Sequence, residues 1–327
     1  MTKSTHLLII FGATGQQGRS VISHVLHDPE LSAQYTLRAI TRNPDQPSAQ
    51  ALLAQYPEGS IELVRGDLDS PASDLQSLLE STHHQSVTIF AMTQTIYSDP
   101  DFAARETRQA HALAHAAVAS GADYLIWSSA THAQAASGGK YSVPTFDVRA
   151  EVEAHIRGLP IRSAFVAPAS FMQNLEGSGM MAPRRGDGGE YTITNILKPD
   201  TKIPWIDVVA DLGKFVGMIL KGPERYEGQC LAAVSCVYSF EEVAEMIARS
   251  SGKKVKYHMV EEEVFRGFLP PVAGVADCVV NMFRFFEEFG YYGMVGKEEE
   301  KELVERAREL VPGGLVAMEE FVQRIRL

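Results

Sequence analysis

The sequence predicts an α/β fold: a doubly wound parallel sheet of the Rossmann type, followed by a smaller α+β lobe. Three observations carry that expectation. An apolar run at residues 7–11, Leu-Leu-Ile-Ile-Phe, suits a strand buried on both faces. It ends in Gly12-Ala13-Thr14-Gly15-Gln16-Gln17-Gly18, and a helical pattern with Val21, Ile22, Val25 and Leu26 on one side follows. Strand and helix patterns then alternate through the first half, which means parallel strands joined by right-handed crossovers.

The elements can be taken in order. Strands are expected at residues 35–41, 61–64, 87–92, 124–127 and 161–166. Between them lie helical patterns at 48–56, 73–81, 102–120 and 146–157. Gly121 and Gly158 close the last two, as glycine does at helix ends. The expected strand order is 3-2-1-4-5-6. After Pro168 the rhythm breaks. Residues 180–189 read as a loop, 191–196 as a short hairpin arm, 208–220 as a helix and 229–234 as a strand. Ser239 with Glu242 makes a capping box before the next helix. Residues 254–259 suit a strand, and the rest is mostly helical, including 279–289 and 297–310. This divides the chain into a dinucleotide-binding domain, 1–168, and a substrate or partner lobe, 169–327. Segments within about 205–235 are expected to return to the main sheet.

Composition narrows the function. With 327 residues, 45% of them hydrophobic, the chain can build a large core, and no apolar run is long enough to span a bilayer. Residues 1–5 lead straight into the first strand, so no signal peptide is expected. Cys230, Cys236 and Cys278 show no metal or redox spacing and read as reduced thiols of a cytosolic or nuclear compartment. A net charge of −11 without a basic patch argues against direct binding to nucleic acid.

The chemistry starts at the glycine turn. Gly12, Gly15 and Gly18 let the backbone bend sharply and approach a pyrophosphate, and the next helix offers its N–H groups to the negative charge. At the end of the second strand an NAD site carries an acid for the ribose 2′-hydroxyl. Here Thr41-Arg42-Asn43-Pro44 stands instead, and the Arg42 guanidinium suits a 2′-phosphate, so NADP(H) is the expected cofactor; an ordinary surface arginine is the competing reading. Asp67 and Leu68 end the third strand, where an acid and an apolar residue flank an adenine or simply turn into a helix. The Tyr-x-x-x-Lys pair used by many reductases of this fold is absent: Tyr141 is followed by Thr145 and Tyr124 by Ser128. Arg149 is the basic residue available on that helix, and it can anchor but not shuttle a proton. His132 and Ser129 follow the fifth strand and are candidate proton donors beside Arg149.

Other patterns suggest less. His111 and His115 are spaced as a metal pair, but no third ligand is evident and no metal site is expected. His83-His84 reads as a helix end, and Phe283, Phe285, Phe286 and Phe289 read as lobe core before a substrate box. The charged run at 297–302 reads as a solvated helix face.

Several stretches together resemble the NmrA-like family, a branch of the short-chain dehydrogenase/reductase superfamily. They are Gly12-Ala13-Thr14-Gly15-x-x-Gly18, Thr41-Arg42-Asn43-Pro44, Gly66-Asp67-Leu68, and Phe146-Asp147-Val148-Arg149-Ala150-Glu151-Val152-Glu153. Pro168-Ala169-Ser170-Phe171-Met172-Gln173-Asn174, Pro204-Trp205-Ile206-Asp207 and Asn281-Met282-Phe283-Arg284-Phe285 complete the set. The resemblance implies a dinucleotide held by the glycine turn (Gly12, Thr14, Gly15, Gln17, Gly18), Arg42, Asp67, Leu68 and Thr93, with Arg149 where relatives carry a ribose-binding lysine. It implies that residues 168–174 border the nicotinamide, with Pro168 and Phe171 toward the cofactor and Phe171 and Asn174 toward a substrate. Relatives with a second basic residue after the TRNP stretch pinch the 2′-phosphate, whereas here Asp45-Gln46 follows, implying a modest NADP preference. The family includes NADP(H)-sensing transcriptional co-regulators, which bind a protein partner and need not turn over, and it is similar to isoflavone-reductase-like enzymes. Two expectations therefore stand: a redox-sensing regulator with weak or no turnover, or an NADPH-dependent reductase of a small carbonyl, imine or enone. Many members of the superfamily form homodimers, but no interface is legible in this sequence.

Overall fold

A computed structural model of the chain describes residues 6–186, 188–294, 297–311 and 313–327. The expected entry from residues 1–5 into the first strand lies outside the described residues.

The main sheet begins with β1 (His6–Ile10), β2 (Tyr35–Thr41), β3 (Ile61–Arg65), β4 (Ser86–Ala91), β5 (Tyr124–Ser128) and β6 (Arg162–Pro168). The chain then adds β7 (Ser170–Phe171), β8 (Arg184–Arg185), β9 (Tyr191–Asn195), β10 (Lys202–Ile206), β11 (Cys230–Ala233), β12 (Cys236–Ser239) and β13 (Val255–Met259). Seven strands make one sheet in the order β3-β2-β1-β4-β5-β6-β11, every pair parallel. The expected order is thus present, with β11 added as a seventh strand beyond β6. The alternation of β1 explains its burial: Leu7 and Ile9 join the layer of Leu75, Leu113 and Trp127, while Leu8 and Ile10 join that of Val21, Val25 and Phe215.

The helix Gln16–His27, which follows the glycine turn, packs on the helix Val208–Lys221. Their approach is set by glycine. A Cβ on Gly213 would lie 2.2 Å from the Ser20 carbonyl oxygen, and one on Gly217 would lie 2.4 Å from the His24 ring. The Gly213 N–H donates to Ser20 Oγ at 2.8 Å, closing the contact.

The smaller lobe carries two three-stranded sheets, β12-β10-β7 and β13-β9-β8. Ser239 and Glu242 form the expected capping box on the helix Phe240–Ser251. Phe283, Phe285 and Phe286 of the helix Val275–Phe289 are buried with Phe240, Phe265 and Tyr291, so the expected aromatic core is present. Two of the marker stretches, 168–174 and 204–207, meet in a polar knot. Asp207 accepts hydrogen bonds from Gln173 Nε2 at 2.7 Å, Arg324 Nη1 at 2.8 Å and the Ala210 N–H at 3.1 Å.

Some expectations need correction. The short strands β7, β8, β10 and β12 fall where none was expected, and the expected loop at 180–189 contains β8. The preceding helix ends at Leu79, so His83-His84 lies in the turn before β4 and caps nothing. The backbone of Lys297–Leu310 is helical, but side chains at 297, 298 and 300 lie outside the described residues.

Candidate functional site

A groove of about 620 Å³ opens along the C-terminal edge of the sheet. Open parallel sheets hold their ligands at this edge, where the strand order reverses. Here the reversal falls between β1 and β4. The turn after β1 contributes Gly12, Thr14, Gly15 and Gln17 to the lining. Thr41 and Arg42 follow β2, Gly66, Asp67 and Leu68 follow β3, and residues 92–97 follow β4. Arg149 and Phe171 reach the same groove.

The glycine turn has the geometry of an anion cradle. Gly12 sits at φ 64°, a conformation that favours glycine, and its carbonyl accepts the Gly15 N–H at 2.9 Å. Gly18 is buried under that turn: its Cβ would lie 2.4 Å from the Gly12 oxygen and 2.7 Å from Ala13 Cα. Gly15 caps the helix without a side chain, and the first turn holds no acid. Its N–H groups and the positive end of the helix dipole therefore face the groove without a built-in anion. Gly66 plays a related part, since a Cβ there would meet Leu78 and Ile40 within 2.7 Å.

The charged rim starts at Arg42, whose Nη2 donates to Gln94 Oε1 at 3.1 Å across the groove. No carboxylate pairs with Arg42 among the described residues. Arg149 is half-buried and donates from Nη2 to Thr95 Oγ1 at 3.4 Å. Its backbone carbonyl accepts the Trp127 indole N–H at 3.1 Å, which fixes that turn of the helix Pro144–Arg157 against β5. Thr93 donates from Oγ1 to Glu106 Oε2 at 2.7 Å, and Glu106 is 2% exposed. The other Glu106 oxygen finds no partner among the described residues.

Other sequence-predicted residues lie elsewhere. His132 does not line the groove. Its Nδ1 lies 3.1 Å from Asp147 Oδ1 at the start of a four-residue helix, Ala133–Ala136. Asp147 also accepts the N–H groups of Gln134 and Val143, so histidine and carboxylate together brace this loop. Ser129 is buried, with its N–H on the Val166 carbonyl. Pro168 is buried in β6 and accepts the Tyr291 hydroxyl, while Asn174 turns its carbonyl to the Met181 N–H. Within residues 168–174, only Phe171 reaches the groove. Gly18 supports the groove from beneath rather than lining it. Thr145, four residues before Arg149, is buried with its hydroxyl 3.6 Å from Cys278 Sγ.

Sequence reasoning missed Gln94, Thr95, Ile96, Tyr97 and Gln109, which also line the groove. The expected switch point was the available signal, because it assigns the segment after the fourth strand to the site. Tyr97 stands 42% exposed, its ring 5.8 Å from that of Phe102. His155 is the partner that the His111/His115 spacing lacked, but the His111 and His155 rings stack at 4.0 Å and do not converge on a point. Among the described residues no group of three or more His, Cys, Asp or Glu side chains could hold a metal ion.

A parallel sheet of this order, with a glycine cradle at its switch point, defines a Rossmann-type α/β protein. The chain matches the NmrA-like family over residues 4–322, and it belongs to that family. It is 25% identical to an NmrA-like family domain-containing oxidoreductase, ptmS, of Penicillium ochrochloron, over 80% of this chain and 77% of that one. The crystal structure of NmrA, a negative transcriptional regulator, in complex with NADP superposes with a TM-score of 0.76 at 22% identity, covering 99% of this chain and 96% of the other. Triphenylmethane reductase of Citrobacter sp., solved with NADP(H), gives a TM-score of 0.71 at 19% identity, covering 97% and 99%. Among the described residues no helix is long and apolar enough to cross a membrane.

Proposed function

We propose that the chain binds NADP(H) in this groove and acts as a redox-sensing regulator with weak or no turnover, engaging a protein partner in the cytoplasm or nucleus. The cradle fits a dinucleotide: a Cβ at Gly18 would fill space that the turn itself occupies, and the helix start presents donors without a competing acid. Arg42 would take the 2′-phosphate, Asp67 and Leu68 the adenosine, and Thr93 and Arg149 the nicotinamide half. The family relationship supports the same cofactor, since NmrA has been solved with NAD and with NADP.

One observation supports the regulatory reading: among the described residues no lysine stands beside a tyrosine in the lining of the groove. Thr145 stands four residues before Arg149, buried against Cys278. His132 is committed to Asp147 outside the groove, and the Arg149 guanidinium offers donors but no acceptor atom. Phe283, Phe285 and Phe286 fill the lobe's own core and do not line the groove.

A second reading, an NADPH-dependent reductase, is favoured by Tyr97 and Arg149 lining the same groove and by the oxidoreductase name of ptmS. NADPH would then supply hydride to a small carbonyl, imine or enone. The Tyr97 hydroxyl would hold or give the proton, and Arg149 would steady the developing negative charge. Calorimetric titration with NADPH and NADP+, beside NADPH oxidation across a panel of carbonyls, imines and enones, separates the two. Tight binding with turnover near background is the expected result. Rapid oxidation that falls in Tyr97→Phe would overturn the sensor reading.

A further inference from the structure

We infer that Arg65, which stands outside the groove's lining against the turn that carries Arg42, is a second selectivity determinant acting beside Arg42 on an adenosine 2′-phosphate, and that Asp45 restrains it. This rests on the dinucleotide reading and sharpens it. The sheet makes the pairing: β2 and β3 run parallel with Thr41 opposite Arg65, so Arg65 arrives beside the turn that carries Arg42. Its Nη1 donates to the Arg42 carbonyl at 3.3 Å and its Nη2 to Asn43 Oδ1 at 3.4 Å. The Asp45 carboxylate lies 3.6 Å from Nη2, and both charged side chains are mostly exposed. Asn43 Oδ1 also accepts the Asp45 N–H at 3.1 Å, which folds the turn around this guanidinium.

These contacts sit at the long end of hydrogen-bond distance, so Arg65 is aimed at the turn yet keeps donors to give. The ribose 2′ position of a bound dinucleotide falls at the end of the second strand. A phosphate ester there carries about −1.5 to −2 charge near pH 7, more than one guanidinium neutralises. Among the described residues the Arg42 guanidinium is held by a neutral amide, Gln94. Of the two guanidiniums only that of Arg65 is set beside a carboxylate among the described residues, and that carboxylate, Asp45, competes with the phosphate for it. A 2′-hydroxyl has no charge and gains nothing from the second arginine. The arrangement would favour NADP(H), with Asp45 holding that preference down.

The test is calorimetric titration of NADPH and NADH into the unsubstituted protein and the R65A, R65K and D45N variants. R65A is expected to weaken NADPH about five- to tenfold, the scale of one partly screened charge-assisted contact, with NADH changed less than about twofold. R65K should recover part of the loss, and D45N should tighten NADPH about threefold with NADH unmoved. If R65A weakens both nucleotides alike, Arg65 merely braces the turn and the inference is overturned; it is equally overturned if neither changes. If the unsubstituted protein binds neither nucleotide, the dinucleotide reading itself falls and takes this one with it.

Discussion

Replacing Gly18 by alanine would test the cradle most directly. The added Cβ would lie 2.4 Å from the Gly12 oxygen, 2.7 Å from Ala13 Cα and 2.8 Å from the Gly12 carbonyl carbon. All three are backbone atoms, so no rotamer change can make room. Comfortable contact needs about 3.5 Å, so the helix start must retreat from the turn by roughly 1 Å. Overpacking of this kind costs about 1–3 kcal/mol of stability. The same shift withdraws first-turn N–H groups from a diphosphate, and each such charge-assisted bond contributes about 1.5–3 kcal/mol. At about 1.4 kcal/mol per factor of ten, losing one raises the Kd for NADPH roughly 10- to 100-fold. Titration calorimetry would read the affinity and a thermal melt the stability. Gly15→Ala is the control: its Cβ meets only the Gly12 oxygen, at 3.2 Å, so it should lower Tm far less than Gly18→Ala. A Gly18→Ala protein with the parent's Kd and Tm would refute the reasoning.

Two further outcomes follow from buried and half-buried polar groups. Thr93→Val removes the hydroxyl that Glu106 accepts and leaves a buried carboxylate unpaired, at a cost of about 2–3 kcal/mol in urea unfolding. The double variant with Glu106→Leu should recover part of it, and strict additivity would show the pair to be uncoupled. For pH, burial first and then neighbouring histidine charge lower the pKa of both His111 and His155. The unfolded chain, with histidines titrating near about 6.5, takes up protons first, so this contribution is present above that pH and is lost as pH falls toward the lower folded values. Tm should therefore drop between neutral pH and about 5.5, and His155→Phe should flatten the drop; an unchanged slope would clear the cluster of responsibility.

Much of this was legible in the residues. The first six strands are apolar runs, as in β1, or mixed apolar and polar stretches, as in β2 and β3, set between turn and helix signals, so the residue pattern found them, and the order followed from parallel crossovers. The capping box at Ser239 is local, needing only a residue and its third successor. What stayed hidden depends on contacts between distant residues. Strand β10 contains Pro204, which argues against a strand, yet it pairs with Val237 of β12. Strands of two residues, such as β7 and β8, are too short to show a period. His132 followed the fifth strand as a proton donor would, but Asp147, on the next long helix, takes it out of the groove. Arg65 went unnoticed because it lies 23 residues beyond Arg42, and only the β2–β3 register brings them together.

The close crossing at Gly213 and Ser20 bears on how the molecule could be dissected. A fragment stopping at residue 168 would contain every turn of the cradle. It would lack the helix that covers Val21, Ile22 and Val25, and it would leave β6 as an open edge where β11 belongs. Wet oily side chains beside an unprotected strand edge favour association between copies over independent folding. A minimal nucleotide-binding piece must therefore run through Ala233.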